Sequence, residues 1–227
     1  MVRRRDRRRP LWMVLALAIA GVVLAAGVAF GAAPIVGTAD NMYSAPTYTI
    51  DQGEVAQLQV TGSTHNATAH PAGPDGKALF RSPTISGGQT AAVDGTQYLT
   101  AGNYTFFCTI HPSTMQATLT VTNSGTPVAR PHADLSLKSK KLSKAVKKGL
   151  LVGVTTNTTV DGATLTAMLG KAVIGRVTVS LAAGPQVELV KLNKAGKSKL
   201  RARSTAKVTV TANVPFGSPA TAKGKLS

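Results

Sequence analysis

The chain has one cysteine, so no disulfide can form within it and a fold stapled by S–S bridges is excluded. It has only four histidines, which excludes the His-rich clusters that catalytic multi-metal centres require. No spacing of serine, histidine and acid suggests a hydrolytic nucleophile, so the composition points away from an enzyme. Aromatic residues make up 4% of the sequence, and Phe216 is the sole one in residues 129–227. The stacking platforms expected of a single-strand nucleic-acid binder are missing, and nucleic acid is not an expected partner. Acidic residues number nine against 26 Lys and Arg, a formal charge of +17, but that total describes no single part of the molecule.

Residues 1–37 carry six Arg and Asp6, for a net +5. Residues 38–128 carry Lys77 and Arg81 against five acidic residues, a net −3, and residues 129–227 carry eighteen basic against three acidic residues, a net +15. The charge step near Pro127 to Pro131 marks a domain boundary, with Ser124-Gly-Thr-Pro-Val-Ala-Arg-Pro131 reading as an extended linker. The expected organisation is a leader over 1–37, a first domain over 38–123, a linker over 124–132 and a basic domain over 133–227.

The leader pairs Arg3 to Arg9 with an uncharged, mostly apolar run from Leu11 to Ala33, the asymmetry of a segment whose arginines stay cytoplasmic. This predicts an N-terminal hydrophobic helix and export. The run is long enough to span a bilayer, while Gly31-Ala-Ala33 offers a cleavage site, so membrane anchor and cleaved signal both remain open. The expected location is the outer face of the cytoplasmic membrane if anchored, or secreted or cell-wall bound if cleaved.

Outside the membrane a lone cysteine is left with intermolecular pairing, an idle buried thiol or a metal. In Tyr104-Thr-Phe-Phe-Cys108, alternation places Tyr104, Phe106 and Cys108 on one face of a strand. After the loop Thr109 to Thr114, a second alternation puts Met115, Ala117, Leu119 and Val121 on one face. A strand, a short loop and a returning strand would bring a thiolate (Cys108), an imidazole (His111) and a thioether (Met115) together. Such soft and borderline ligands suit copper; two His and one Cys in a plane, with a distant axial Met, form the blue-copper electron-transfer arrangement. Tyr98, Tyr104, Phe106 and Phe107 are assigned to packing, with Tyr104 fixing the corner at which the run from Leu99 turns into a strand.

The run from Gly95 through Cys108, His111 and Pro112, followed by Met115, resembles the C-terminal ligand region of plastocyanin-like and azurin-like cupredoxins, the blue copper proteins. That resemblance covers about residues 45–123 and implies a Greek-key β-sandwich holding one type 1 copper ion. It also implies that the first imidazole ligand ends an earlier strand and is followed by Asn, which points to His65 and Asn66, with His70 as the rival. For Asn66 it implies a side chain tying the two ligand loops together and a backbone N–H near the Cys108 sulfur. The implied metal set is His65, Cys108, His111 and Met115. His132, in the linker, is expected to be solvated.

Beyond the linker, Leu150 to Thr155, Ala163 to Met168, Ala172 to Leu181, Val187 to Leu192 and Lys207 to Val214 read as strands separated by turn residues. The lysine-rich patterns at Leu135 to Val152 and Lys191 to Leu200 resemble immunoglobulin-like β-sandwich modules of secreted bacterial proteins. The chain as a whole is thus expected to be all-β, a cupredoxin sandwich followed by a second, small Ig-like one. The expected function is one-electron transfer between redox partner proteins, with copper carriage or a structural envelope role as alternatives. The basic domain is expected either to touch anionic cell-wall polymer, lipid head groups or an acidic partner, or to be a solvated spacer.

Overall fold

The computed structural model describes residues 34–227. The hydrophobic helix, with its signal or anchor role, falls on residues outside that range; among the described residues no helix is long and apolar enough to cross a membrane.

The first domain contains β1 (Ile35–Gly37), β2 (Thr47–Gln52), β3 (Gln57–Val60), β4 (Thr68–Ala69), β5 (Thr90–Ala92), β6 (Gly102–Phe107) and β7 (Gln116–Gly125). One sheet runs β1-β3-β5 and the other β2-β7-β6-β4. The pairs β1–β3 and β2–β7 are parallel and the others antiparallel. Parallel pairs cannot be joined by tight hairpins, so the chain crosses between sheets to make them. β1 lies just ahead of residue 38, where the sequence reading opens the domain.

Alternation decides which side chains fill the space between the sheets. Leu58 and Val60 point in from β3, Tyr48 and Ile50 from β2, Phe106 from β6, and Ala117, Leu119 and Val121 from β7. Phe106 is wholly buried, with its ring centroid 4.8 Å from that of Tyr43 and 6.0 Å from that of Phe80. This aromatic group sits two residues before Cys108, so the strand end carrying the thiol rests on rigid packing. Tyr104 Oη donates to the Thr100 carbonyl at 2.9 Å, the corner expected of it.

The second domain holds β8 (Ala133–Leu137), α1 (Leu142–Lys148), β9 (Leu150–Thr156), β10 (Val160–Leu169), β11 (Ala172–Leu181), β12 (Gly184–Val190), α2 (Lys194–Arg201), β13 (Ala206–Asn213) and β14 (Ala220–Leu226). Its sheets, β11-β10-β13-β14 and β12-β9-β8, are antiparallel throughout and enclose one aliphatic core. The expected strands are present, with β12 displaced toward Gly184, and β8 and β14 complete the two sheets.

The two short helices were not anticipated. In α1, Leu142, Ala145 and Val146 are buried at spacings of three and four residues, the stripe a helix needs to dock on a core. In α2, the Asn193 side chain caps the N-terminus by accepting from Gly196 N–H at 2.6 Å.

The domains meet at Phe216, whose backbone is left-handed at φ 62° and whose N–H donates to Asp75 Oδ2 at 3.1 Å. The Arg81 guanidinium lies 4.3 Å from the Phe216 ring centroid and 3.4 Å from Asp75 Oδ2. Gly95, itself at φ 99°, leaves room for that ring, since a Cβ there would meet it at 2.7 Å. The Asp75 side chain is 5% exposed. Burial alone would raise its carboxyl, but the N–H groups of Phe216 and Lys77 and the Arg81 charge outweigh that and hold it below the ordinary aspartate value.

Candidate metal centre

Cys108 leaves the end of β6 and Met115 stands immediately before β7, so the hairpin joining these strands carries three of the four expected ligands. Its backbone is tied at both ends. Cys108 N–H donates to the Met115 carbonyl at 3.0 Å, His111 N–H to the Cys108 carbonyl at 3.2 Å, and Met115 N–H to the His111 carbonyl at 2.9 Å. These bonds turn Cys108 and Met115 inward and leave His111 at the bend.

His65 comes from the other side of the sandwich, where it exchanges two 2.9 Å backbone hydrogen bonds with Ile85. Its ring Nε2 lies 2.9 Å from the Thr38 carbonyl and 3.1 Å from Ser63 Oγ. A carbonyl oxygen only accepts, so Nε2 carries the proton and the Nδ1 lone pair faces inward. That is the arrangement in which a carbonyl fixes the tautomer of a metal-binding imidazole.

His65 Nδ1 and His111 Nδ1 each lie 3.9 Å from Cys108 Sγ, and the three donor atoms fall within 4.8 Å of one another. The rings of His65 and His111 are 5.1 Å apart, centroid to centroid. Met115 closes the same space: a Cβ placed on Gly37 would meet His65 Cδ2 at 3.0 Å and Met115 Cε at 3.1 Å. His65, Cys108 and Met115 are fully buried, and His111 alone of the four is partly exposed. Two imidazole nitrogens, one thiol and one thioether in a dry pocket fit copper, whose soft-ligand sites take this donor set.

His70 is not part of the group. It is exposed, with its ring stacked on Phe107 at 4.4 Å and its N–H bonded to the Thr105 carbonyl. His132 lies far along the chain, exposed, and 3.7 Å from Asp134.

Asn66 performs the tie between loops. Its Oδ1 accepts from Thr109 N–H at 3.0 Å, and its Nδ2 donates to Thr109 Oγ1 at 2.7 Å and to Thr84 Oγ1 at 2.9 Å. Cys108 Sγ itself faces the two imidazole Nδ1 atoms, each at 3.9 Å. Tyr43 Oη donates to the Asn66 carbonyl at 2.7 Å, and burial followed by the nearby Cys108 and Tyr48 pushes that phenol well above its usual value. Tyr43 is thus a buried strut beneath Asn66.

Sequence reasoning missed Gly37, Thr38, Ser63 and Thr84. Gly37 and Thr38 act through packing and a backbone carbonyl, which leave no side-chain signature, and Gly37 falls in the stretch read as leader.

Residues 35–122 match the family model described as copper binding proteins of the plastocyanin/azurin family. Among solved structures, a reduced Cu(I) form of an amicyanin mutant at pH 4 is 27% identical, covering 42% of this chain and 87% of that one at a TM-score of 0.32. An oxidised amicyanin mutant is 28% identical with the same coverage and a TM-score of 0.33. The purple cupredoxin of Nitrosopumilus maritimus is 22% identical, covering 40% of this chain and 99% of that one at a TM-score of 0.32. No curated protein matches the chain. The sandwich with its His, Cys, His and Met pocket, spanning residues 35–122, is a copper-binding domain of the plastocyanin/azurin family.

Proposed function

We propose that the protein is an exported one-electron carrier and not an enzyme, with copper held by His65 Nδ1, Cys108 Sγ, His111 Nδ1 and the Met115 thioether. The observation that carries this reading is the assembled donor set: two imidazole nitrogens and a thiol within 4.8 Å, each held by hydrogen bonds of its own backbone or ring. Copper bound there supplies a Cu(I)/Cu(II) couple. The protein contributes rigidity. His65 is locked by Thr38 and Ile85, Cys108 by Met115 and the aromatic floor, and the hairpin by Asn66. Ligands that cannot relax between oxidation states keep the reorganisation cost of electron exchange low.

The route for electrons is His111, the one partly exposed member of the set, at the bend of the hairpin. Ile110, 47% exposed, and Pro112, also exposed, flank it with an apolar rim on which a redox partner protein can settle. Export is supported by the arginine cluster and apolar run at the N-terminus.

The test is the visible spectrum of the full chain after addition of Cu(II), followed by voltammetry. An intense blue band that bleaches with reductant, returns with oxidant and gives a reversible potential is expected. Copper that binds without that band, or that exchanges as Cu(I) and does not cycle, overturns electron transfer in favour of carriage.

A further inference from the structure

The basic domain has a feature that the copper chemistry leaves unused. Two adjoining hollows, about 500 Å³ and 270 Å³, share Lys148 and Gly149. Together they form one track lined by Lys138, Lys140, Lys141, Lys144, Lys147, Lys148, Lys191 and Lys197, and no acidic side chain lines either hollow. None of these ammonium groups has a carboxylate within ion-pair distance among the described residues. The floor is apolar, with Leu151 47% and Leu189 38% exposed.

Several of the lysines stand where they cost stability, although Lys147 and Lys148 lie in the last turn of α1, where the helix dipole favours cations. Lys144, Lys147 and Lys148 repeat at three and four residues along one face of α1, a like-charge spacing that destabilises a helix. Lys140 and Lys141 crowd its N-terminus, where the helix dipole disfavours cations, and Lys141 occupies the N-cap without making a capping bond. Local rules broken together in one place, with no compensating contact inside the fold, mark a surface shaped for something outside it.

We propose that this track binds a flexible linear polyanion, a polyol-phosphate chain without bases. A concave, two-chambered track fits a chain, whereas a bilayer presents a flat face. Ammonium groups act as point charges for successive phosphates, and the leucine floor receives the carbon backbone between them. No aromatic side chain lines the track, so a nucleic-acid base has nothing to stack on. The copper domain, at net −3, takes no part, and the polymer is held through the basic domain alone.

The test titrates the full chain with a glycerol-phosphate oligomer across a range of salt. The variant Lys140→Gln/Lys141→Gln/Lys144→Gln/Lys148→Gln is compared with a control of equal charge change, Lys171→Gln/Lys207→Gln/Lys223→Gln/Lys225→Gln, none of which lines the track. The track variant is expected to bind at least tenfold more weakly and to lose about 0.7 of the log–log salt slope for each lysine that was engaged. Its thermal midpoint is expected to hold or rise, as relief of like-charge repulsion requires. Equal weakening in both variants overturns the proposal, because binding would then follow net charge. Tighter binding of single-stranded DNA of matched charge overturns it, as does a track effect seen only with anionic lipid vesicles.

Discussion

Replacing Asn66 with alanine separates the tie between the ligand loops from the ligands themselves. The buried carboxamide makes two bonds to Thr109 on the copper hairpin and one to Thr84, and accepts a longer one from Thr68 Oγ1 at 3.3 Å. Thr109 is exposed, so water can take over its N–H and hydroxyl, and each cross-loop bond is worth the net value of about 1 kcal/mol. With the Thr84 bond added, Asn66→Ala is expected to cost the apo domain about 2–3 kcal/mol. Copper should also be held more weakly by about 10- to 100-fold, the usual effect of losing a group that orients metal ligands. Thr84→Val serves as the comparison. It removes one bond without freeing the hairpin, so it should cost about 1 kcal/mol while leaving copper affinity unchanged. Urea unfolding followed by circular dichroism gives the first quantity, and competition with a chelator followed at the blue band gives the second. If Asn66→Ala retains copper as well as Thr84→Val does, the hairpin is held by its own backbone bonds and the reasoning fails.

Cys108→Ser should abolish the intense thiolate-to-copper band, and a protein that stays blue would refute the ligand set. His65→Ala should abolish it as well, whereas His70→Ala should leave spectrum and potential unchanged, since His70 stacks on Phe107 outside the pocket. Gly37→Ala places a methyl 3.0 Å from a His65 ring that is fixed and 3.1 Å from a Met115 methyl that can move. Copper should remain, the spectrum should change through the thioether, and overpacking should cost about 1–3 kcal/mol; an unaltered spectrum would show that Met115 does not line the site. Asp75→Asn should loosen the contact between the domains in a pH-dependent way. The native carboxyl lies below its unfolded value, so its contribution is present above the ordinary aspartate pKa of about 4 and is lost as pH falls through the folded value. Thermal scans of native and Asp75→Asn protein should therefore differ at pH 7 and converge toward pH 3. A constant gap would mean that the charge is not what matters.

Much of this was legible because β-structure writes its inside and outside into alternate residues. Cys108, Met115 and the face shared by Ala117, Leu119 and Val121 are all placed correctly by that rule. The spacing from Cys108 to Met115 lies within one hairpin, so local geometry brings three ligands together. His65 is different. It enters from an isolated bridge to Ile85, 43 residues before Cys108, and only the resemblance separated it from His70, because nothing local records which imidazole faces the hairpin. The helices α1 and α2 were hidden by their lysines, which mask short apolar stripes such as Leu142, Ala145 and Val146. Thr38 acts through its carbonyl, a group every residue has, and leaves no trace in sequence.

The Pro74-Asp75-Gly76 turn is built from residues that any exposed turn could carry. In the fold it receives the Phe216 N–H, and Arg81 is shared between the Asp75 carboxylate and the Phe216 ring. Phe216 is the only aromatic residue of the basic domain and is spent on the contact with the copper domain. Tyr98 completes the seat, its ring centroid 6.1 Å away. Arg81 is one of only two basic residues in the copper domain, and it is used here as well. A flexible tether would need neither residue. The use of both at this contact argues that the linker is not the only connection between the copper domain and the basic domain.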